Sequence, residues 1–292
     1  MNKTVDCYTS TPLSHIFDWV PDSGVIKTAL DYTVRYDGLI FLDFTEYTRI
    51  SGLTKNHEDR FDTHQKIIID HHEVVATTPC TISYIVPDIT STCELMYEIL
   101  CVHNRALITP DVATYLYLGL TTDTGNYIYD GNNIATLQRG IDLVSRGANK
   151  YLVQHHMLRS LSFSALRFLW CFLNRIVQVG SVYYSYYSDD DLELYQIDKE
   201  QAEIGTHTLQ QLEWSDVIIV FKVRWDYIYF SLRSRSTPID HIARHYGGGW
   251  HKYSSGWAMV PRTNDVLNIQ LESIVNNVLW LLAHTNEYIS VE

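Results

Sequence analysis

The feature that most constrains this chain is a pair of short, uninterrupted apolar runs that each lead to an acidic residue. Residues 38–44 read GLIFLDF, and residues 66–69 read KIII and are followed by Asp70. Unbroken apolar runs of this length are typical of strands buried on both faces, as in a parallel sheet covered by helices. The first half of the chain is therefore predicted to be α/β and doubly wound.

Three segments of the first half carry helix signals. Residues 91–102 begin with a serine and place Glu94 three residues later, which is the spacing of a capping box. Residues 109–120 open with Thr-Pro, a pair favoured at the N-cap and the first turn. Residues 133–146 repeat apolar side chains at helical spacing and stop before Gly147. These helices are expected to alternate with the strands.

The second half has a different pattern, so we predict two domains. Residues 151–180 are expected to form a helical connector between a first domain, residues 1–150, and a smaller α/β domain, residues 181–292. In the second domain, strands are predicted at 181–187, 217–223 and 227–232, and helices at 239–245 and 266–283. A length of 292 residues is comfortable for two domains.

The charge balance limits the partners of the chain. It has 34 acidic and 22 basic residues, a formal net charge of −12. A surplus of acid argues against non-specific binding of nucleic acid, which needs a basic face. It still allows a small anionic ligand held by a few Arg or His side chains or by metal ions.

The cysteines and the hydropathy pattern indicate a location. The five cysteines are scattered and include no C-x-x-C pair, as in a cytosolic protein with reduced thiols. No run of about 18 apolar residues suggests a membrane span, and the polar start does not resemble a signal peptide. We therefore expect a cytoplasmic protein without a membrane partner.

Several acidic and histidine residues are candidates for a metal site. Asp43 and Asp70 end apolar strands, and His71 and His72 follow directly. Asp123 follows a helix-turn stretch and is expected, like the other two acidic residues, at a strand end. Side chains at the carboxyl edge of a parallel sheet converge on one crevice. Carboxylates mixed with imidazole suit Mn²⁺, Mg²⁺ or Zn²⁺. A single strand-end Asp is more often a helix cap, so residue chemistry alone leaves both readings open.

Five motifs, in order over residues 25–262, resemble those of the DHH phosphoesterases with a DHHA1 domain. IIIDHH resembles the motif that names the family, and LIFLDFTEYTRISG resembles a second motif, a strand ending in Asp. DITSTCELMYEIL resembles the family's Ser-Thr-x-Glu helix, and YLGLTTDTGNYIYDGNN the motif whose Asp precedes Thr-Gly. FSLRSRS and GGGWHKYSSG resemble parts of the substrate-binding DHHA1 domain.

The resemblance implies roles for the motif residues of the first domain. Asp43 would bridge two metal ions, Mn²⁺ or Mg²⁺, and His71 and Asp123 would complete the shell of one ion. His72 would face the substrate phosphate as a catalytic residue. Asp70 would not bind a metal ion itself but would fix the tautomer and ring direction of the imidazoles.

The resemblance also implies a substrate site in the second domain. Arg233, followed by Ser234, and His251 would grip a phosphate, and the backbone N–H groups of Gly247, Gly248 and Gly249 would approach it closely. Small family members of this type are oligoribonucleases (nanoRNases) and 3′-phosphoadenosine 5′-phosphate phosphatases. Short RNA or an adenosine bisphosphate is therefore the expected substrate, and a homodimer is a further expectation.

One family motif has no counterpart in the sequence. The family begins with a strand leading to a His-x-x-x-Asp-x-Asp motif, which supplies most of one ion's ligands, and residues before Asp43 offer no such pattern. We therefore expect the first strand of the sheet to be missing and only one ion to be held well. Two readings remain: an active metal-dependent phosphoesterase, or a nucleotide-binding regulatory protein that has lost hydrolysis.

Overall fold

The computed structural model describes nine stretches of the chain: residues 3–21, 23–31, 33–44, 65–72, 81–128, 133–158, 161–213, 215–249 and 252–284. The chain divides into two compact units, Met1–Ser160 (unit 1) and Leu161–Glu292 (unit 2). The division falls inside residues 151–180, the segment predicted as a connector. Each unit has its own sheet and its own buried core. The α/β class predicted from the sequence is confirmed.

The described part of unit 1 is built on three parallel strands in the order β1-β2-β3: β1 (Gly38–Leu42), β2 (Gln65–Asp70) and β3 (Ile82–Ile85). Leu42 lies opposite Ile69, so the carboxyl ends of β1 and β2 are adjacent. Before β1, the described residues form one isolated β-bridge, between Tyr8 and Lys27, and no strand of this sheet.

The two faces of this sheet differ in burial. Along β2, Lys66, Ile68 and Asp70 are buried, whereas the residues between them are more exposed. On the opposite face, neighbouring apolar side chains of the edge strands are exposed to solvent, namely Ile40, Leu42, Ile82 and Tyr84. Within the described residues, the expected doubly wound sheet with both faces covered is therefore not formed, since only one face is buried.

The described part of unit 1 also contains the helices α1 (Thr92–Asn104), α2 (Pro110–Asp123), α3 (Ile134–Ser145) and α4 (Lys150–Leu158). The helix starts follow the predicted signals, because the side chains of Ser91, Thr109 and Asn133 each accept a backbone N–H of the first turn. Apolar residues of these helices form the core of unit 1, with Leu120 and Val153 fully buried.

Unit 2 contains a five-stranded mixed sheet in the order β4-β5-β6-β7-β8. Its strands are β4 (Val177–Val179), β5 (Val182–Ser188), β6 (Val217–Val223), β7 (Tyr227–Ser234) and β8 (Ser254–Pro261). Only β5 and β6 are parallel, and the other neighbouring pairs are antiparallel. The predicted strands 181–187, 217–223 and 227–232 are confirmed as β5, β6 and β7.

Five helices pack on the two faces of this sheet: α5 (Phe163–Leu173), α6 (Asp189–Tyr195), α7 (Lys199–Leu209), α8 (Asp240–His245) and α9 (Leu267–Ala283). Helices α8 and α9 cover one face, where Phe221 and Phe230 are buried. Helices α5, α6 and α7 pack on the other face over Ile218 and Val220. The β7 and β8 side of that second face remains more open. None of the described helices is long and apolar enough to cross a bilayer.

Candidate metal centre and substrate cavity

The strand ends of unit 1 bring the predicted metal ligands together. Asp43 directly follows β1, Asp70 is the last residue of β2, and His71 and His72 come next. One ligand atom from each of these four residues lies within 4.8 Å of the others. Asp123 joins them from the last residue of helix α2, not from a strand end as expected. The sheet edge and the helix end thus place all five side chains at one site.

His71 lies between two carboxylates. Its Nε2 is 3.5 Å from Asp43 Oδ1 and 3.9 Å from Asp123 Oδ2. Its Nδ1 lies 3.3 Å from the backbone oxygen of Ile89. A proton on Nδ1 donated to that oxygen leaves Nε2 as the nitrogen that can bind a metal, which is how ligating histidines are normally oriented. Ligands about 2.1 Å from one ion are about 3–3.5 Å apart, close to the separation of His71 and Asp43.

Asp70 supports both histidines from the interior. It is fully buried, and its Oδ1 accepts the backbone N–H of His71 at 2.6 Å and that of His72 at 3.1 Å. The Nδ1 atom of His72 is 2.6 Å from the same oxygen. Burial opposes ionisation of this carboxyl, but the His72 ring and the two backbone N–H groups outweigh it and lower the pKa of Asp70. The side chain is therefore an anion that fixes the imidazole of His72.

The electrostatics of the site favour a cation. Burial and the nearby Asp43 carboxylate raise the pKa of Asp123 to about 7. Burial and the neighbouring His72 ring lower the pKa of His71, which keeps its imidazole neutral and able to ligate. Two carboxylates and a neutral imidazole that face one another fit a divalent metal ion, because the ion offsets the repulsion between the carboxylates.

Backbone strain and one unpredicted hydrogen bond shape the site. Asp43 has a left-handed backbone conformation with φ of 56°, which is unusual for a residue other than glycine. The hydroxyl of Thr92 donates to Asp43 Oδ1 at 2.9 Å. Two residues after Asp123, three successive residues begin that are also left-handed, with φ of 55° at Gly125, 60° at Asn126 and 67° at Tyr127. The sequence analysis did not single out Thr92 as a site residue, although Thr92 is the threonine of the Ser-Thr-x-Glu motif.

A buried ion pair holds the helix that carries Thr92. The carboxylate of Glu94 is fully buried and lies 2.5 Å from Nη1 of Arg139 in helix α3. It also accepts hydrogen bonds from Thr136 Oγ1 at 3.0 Å and from the backbone N–H of Thr90 at 3.0 Å. Glu94 therefore ties α1 to α3 and, in contrast to a full capping box, bonds to Thr90 and not to the N-cap backbone.

The predicted substrate residues lie in unit 2. Arg233 is on β7, and its Nη1 donates to the backbone oxygens of Leu232 at 2.9 Å and Ser255 at 3.3 Å. Ser234 uses its hydroxyl to accept the backbone N–H groups of Ser236 and Thr237. Arg233 is thus fixed by backbone contacts, and Ser234 shapes the turn after β7. Their part in binding a substrate stays a prediction.

The glycine run closes helix α8. The N–H groups of Gly247, Gly248 and Gly249 donate to backbone oxygens of Arg244, Ala243 and Gly256, so all three amides have partners within the chain. Gly247 and Gly249 have φ of 76° and 115°, and a Cβ at Gly249 would come within 2.9 Å of the Arg244 side chain. These glycines are required by the turn, whereas their contact with phosphate stays a prediction. His251 lies outside the described residues.

A cavity of about 710 Å³ opens over the β7 and β8 side of the unit 2 sheet. Such a volume is in the range of small-molecule sites. Arg233 and Ser254 line one part of it, and the turn between β6 and β7 lines another. Apart from Arg233, the aromatic and charged residues of this cavity were not predicted, because single residues in turns and on strand faces have no distinctive spacing.

Comparison with family models assigns the first part of the chain. Residues 1–120 match the model described as "DHH family, N-terminal domain". This stretch contains β1 to β3 and the Asp70-His71-His72 run. These residues are therefore similar to the N-terminal domain of the DHH family. The resemblance stated from the motifs is thereby confirmed, and Asp123 lies just beyond the matched residues.

Two curated DHH relatives carry the same descriptive name. The chain is 24% identical over 211 residues to the "Bifunctional oligoribonuclease and PAP phosphatase NrnA" of Mycoplasma genitalium, covering 72% of this chain and 66% of that protein. It is 25% identical over 203 residues to the protein of that name in Mycoplasma pneumoniae, covering 69% and 61%. The match thus spans less than two thirds of the length of these relatives.

A solved structure shares the fold of the whole chain. The crystal structure of an exopolyphosphatase-related protein from Bacteroides fragilis superposes with a TM-score of 0.82 at 21% identity. The superposition covers 96% of this chain and 84% of that one. The chain therefore shares the fold of that protein.

Proposed function

We propose that this chain is a metal-dependent phosphoesterase that hydrolyses short oligoribonucleotides, 3′-phosphoadenosine 5′-phosphate, or both. The observation that carries the proposal is the convergence of Asp43, His71 and Asp123 beside the buried Asp70–His72 pair. The names of the Mycoplasma relatives support the substrate class. The activity of the complete relatives is transferred here only as a proposal.

The proposed metal is Mn²⁺ or Mg²⁺, held by Asp43, His71 and Asp123. A bound divalent ion supplies an acidified water and neutralises charge on a phosphoryl group. Asp43, which is held by Thr92, is the residue best placed to be shared by two ions in the two-metal arrangement that the family resemblance implies.

In this proposal, His72 is the residue of the protein that transfers a proton. Its Nδ1 is engaged with Asp70, so Nε2 on the other edge of the ring is the nitrogen that meets a phosphate oxygen or a leaving group. Asp70 stabilises the protonated ring, and His72 can therefore hold a proton for transfer. Asp70 is a positioning residue, and Arg233 in unit 2 would bind phosphate through paired N–H groups.

The test is hydrolysis by the purified chain. We expect Mn²⁺-dependent cleavage of a 5′-phosphorylated adenylate dinucleotide or of 3′-phosphoadenosine 5′-phosphate. Asp123→Asn should lower kcat by at least about 100-fold, since loss of a metal ligand costs several kcal/mol of transition-state stabilisation. The control is Asp111→Asn, which changes an exposed aspartate at the other end of the same helix.

The regulatory alternative predicts a different outcome. A chain that binds these nucleotides but releases no product with Mn²⁺ or Mg²⁺ would contradict the hydrolase and support a nucleotide-binding DHH protein. Turnover that survives Asp123→Asn unchanged would contradict the metal assignment.

A further inference from the structure

The cavity of unit 2 has a second end that the proposed phosphate site does not use. Arg233 lies near the end of β7, whereas Trp225 is in the turn between β6 and β7, next to the start of β7 at Tyr227. Six residues of strand separate Tyr227 from Arg233, which corresponds to about 20 Å. This separation is longer than one mononucleotide.

Trp225 is an exposed aromatic residue on a fixed turn. Its exposed fraction is 78%, and that of Tyr227 is 40%. The backbone N–H of Arg224 donates to the oxygen of Tyr227 at 2.8 Å, and that of Arg262 donates to the oxygen of Asp226 at 2.8 Å. The first hydrogen bond closes the turn, and the second joins the turn to the residue after β8. Trp225, which lines the cavity, therefore lies on a backbone that needs little ordering upon binding.

Cationic side chains line the cavity, and two of them have acidic partners. Arg224 forms an ion pair with Asp189 at 2.9 Å, and Lys222 forms one with Glu203 at 2.5 Å. With Lys199 and Arg233, four basic side chains face three acidic ones in the lining, in a chain whose formal net charge is −12. A groove with aromatic and basic side chains is the combination that binds single-stranded nucleic acid.

We propose that Trp225, with Tyr227 beside it, is a base-stacking platform for a nucleotide remote from the phosphate held at Arg233. The platform makes the chain prefer an oligonucleotide to a mononucleotide bisphosphate, because only the longer ligand reaches both ends of the cavity. This inference rests on the proposed function. It adds a specificity-determining residue to that site.

Steady-state kinetics with Mn²⁺ test the platform through a specificity ratio. The ratio compares kcat/KM for the 5′-phosphorylated adenylate dinucleotide with kcat/KM for 3′-phosphoadenosine 5′-phosphate. Trp225→Ala should lower it about tenfold, the effect of losing one stacked base, mainly through a higher KM for the dinucleotide. Trp225→Phe should retain most of it. Trp170→Ala, which removes a 71% exposed tryptophan of α5 outside the cavity, should leave it unchanged.

Each result bears on one of the two proposals. A wild-type ratio in Trp225→Ala, or an equal fall in Trp170→Ala, overturns the platform while leaving the hydrolase intact. If the wild-type chain hydrolyses neither substrate, the hydrolase is contradicted and calorimetric titration with the dinucleotide decides the platform. A tenfold weaker Kd in Trp225→Ala then supports it, and absence of wild-type binding, or an unchanged Kd, overturns it. Thermal unfolding of each variant confirms that it is folded. If Trp225→Ala is not, Trp225→Leu, which keeps an apolar side chain but removes the aromatic ring, replaces it with the same expected loss.

Discussion

At the scale of single residues, the candidate metal centre brings two carboxyl groups close together, an arrangement that a bound cation would stabilise. Asp43 and Asp123 face His71 from two sides, and the carboxylate of Asp123 is kept from ionising easily by burial and by Asp43. Such an arrangement lowers stability without a cation and gains stability when one binds. The effect of the site on the free energy of unfolding can therefore be measured separately from any activity.

Asp123→Asn should make the metal-free protein more stable and insensitive to Mn²⁺. The substitution removes the repulsion with Asp43, and we expect a gain of about 1 kcal/mol near pH 7.5, a small value because solvent screens a side chain that is 42% exposed. Thermal unfolding after chelation, with and without added Mn²⁺, measures both effects. Asp111→Asn should keep the wild-type response to Mn²⁺. A variant that is still stabilised by Mn²⁺ as strongly as the wild type would contradict the ligand role.

Glu94 should matter for stability more than any exposed carboxylate of α1. Glu94→Ala leaves the Arg139 guanidinium and two polar groups without their buried partner, which should cost about 3–5 kcal/mol. Urea unfolding measures the loss. Glu98→Ala is the matched control, because Glu98 contacts the same arginine but is 39% exposed, and it should cost less than about 1 kcal/mol. Equal losses in the two variants would contradict the buried-pair explanation.

At the scale of elements, the junction between β5 and α6 is held by one carboxylate. Arg175 donates to both oxygens of Asp191, at 2.6 and 2.8 Å, while Asp191 and Ser188 form a reciprocal capping box. Burial opposes the charge of Asp191, but Arg175 and the Ser188 amide outweigh burial and lower the pKa of Asp191. The start of α6 is therefore joined to the end of α5.

This junction should make unit 2 sensitive to acid. A carboxyl whose pKa is lower in the folded than in the unfolded state stabilises the fold above its unfolded value, about 3.9, and loses that contribution as pH falls through the folded pKa. We expect Asp191→Asn to cost about 2 kcal/mol at neutral pH. The difference from wild type should shrink as pH falls below about 4. Unfolding midpoints over this pH range measure it, and a constant difference would contradict the linkage.

The elements also show what sequence patterns can predict. The caps at Ser91 and Thr109 located α1 and α2, because a capping side chain and a following apolar stripe are both local signals. The strand ends at Asp43 and Asp70 were also predictable, because an uninterrupted apolar run that leads to an acidic residue is a local signal. Asp123 lies 3.9 Å from His71, but it ends helix α2 and not a strand as expected, because the position of a helix end at a sheet edge is a tertiary feature. Its role as a metal ligand stays a prediction.

Two long-range contacts in and near the site could not be predicted from the sequence. The bond from Thr92 to Asp43 joins residues 49 positions apart, and the Glu94–Arg139 pair joins residues 45 apart. Neither separation follows from periodicity. The exposed face of the β1–β3 sheet was also not predicted, because an apolar run such as 38–44 does not reveal which of its faces has a partner.

At the scale of the whole molecule, the buried cores belong to one unit each. The cores on the two faces of the unit 2 sheet contain residues of unit 2 alone, and the core around Leu120 and Val153 contains residues of unit 1 alone. A lesion in one core should therefore loosen that unit first.

Phe221→Ala should destabilise unit 2 selectively. Phe221 is fully buried, and removing a buried phenylalanine ring costs about 3–5 kcal/mol. Hydrogen exchange resolved by segment should show faster exchange in β5 to β8 and unchanged exchange in α1 to α3. Phe163→Ala, which removes a 77% exposed ring in α5, is the matched control and should alter neither unit by much. Equal acceleration in both units would mean that the two cores unfold together.

The lining of the unit 2 cavity has one more basic than acidic side chain, whereas the whole chain has a net charge of −12, and we expect this contrast to affect how an oligonucleotide reaches the cavity. At a distance, an oligonucleotide meets a repulsive field, and only close to Arg233 and its neighbours does it meet attraction. Added salt shortens the Debye length from about 30 Å at 0.01 M to about 8 Å at 0.15 M. Salt should therefore speed the encounter, whereas it weakens ordinary nucleic-acid binding. Because every further nucleotide adds a negative charge to the repulsion, we expect long RNA to reach the cavity more slowly than a dinucleotide does.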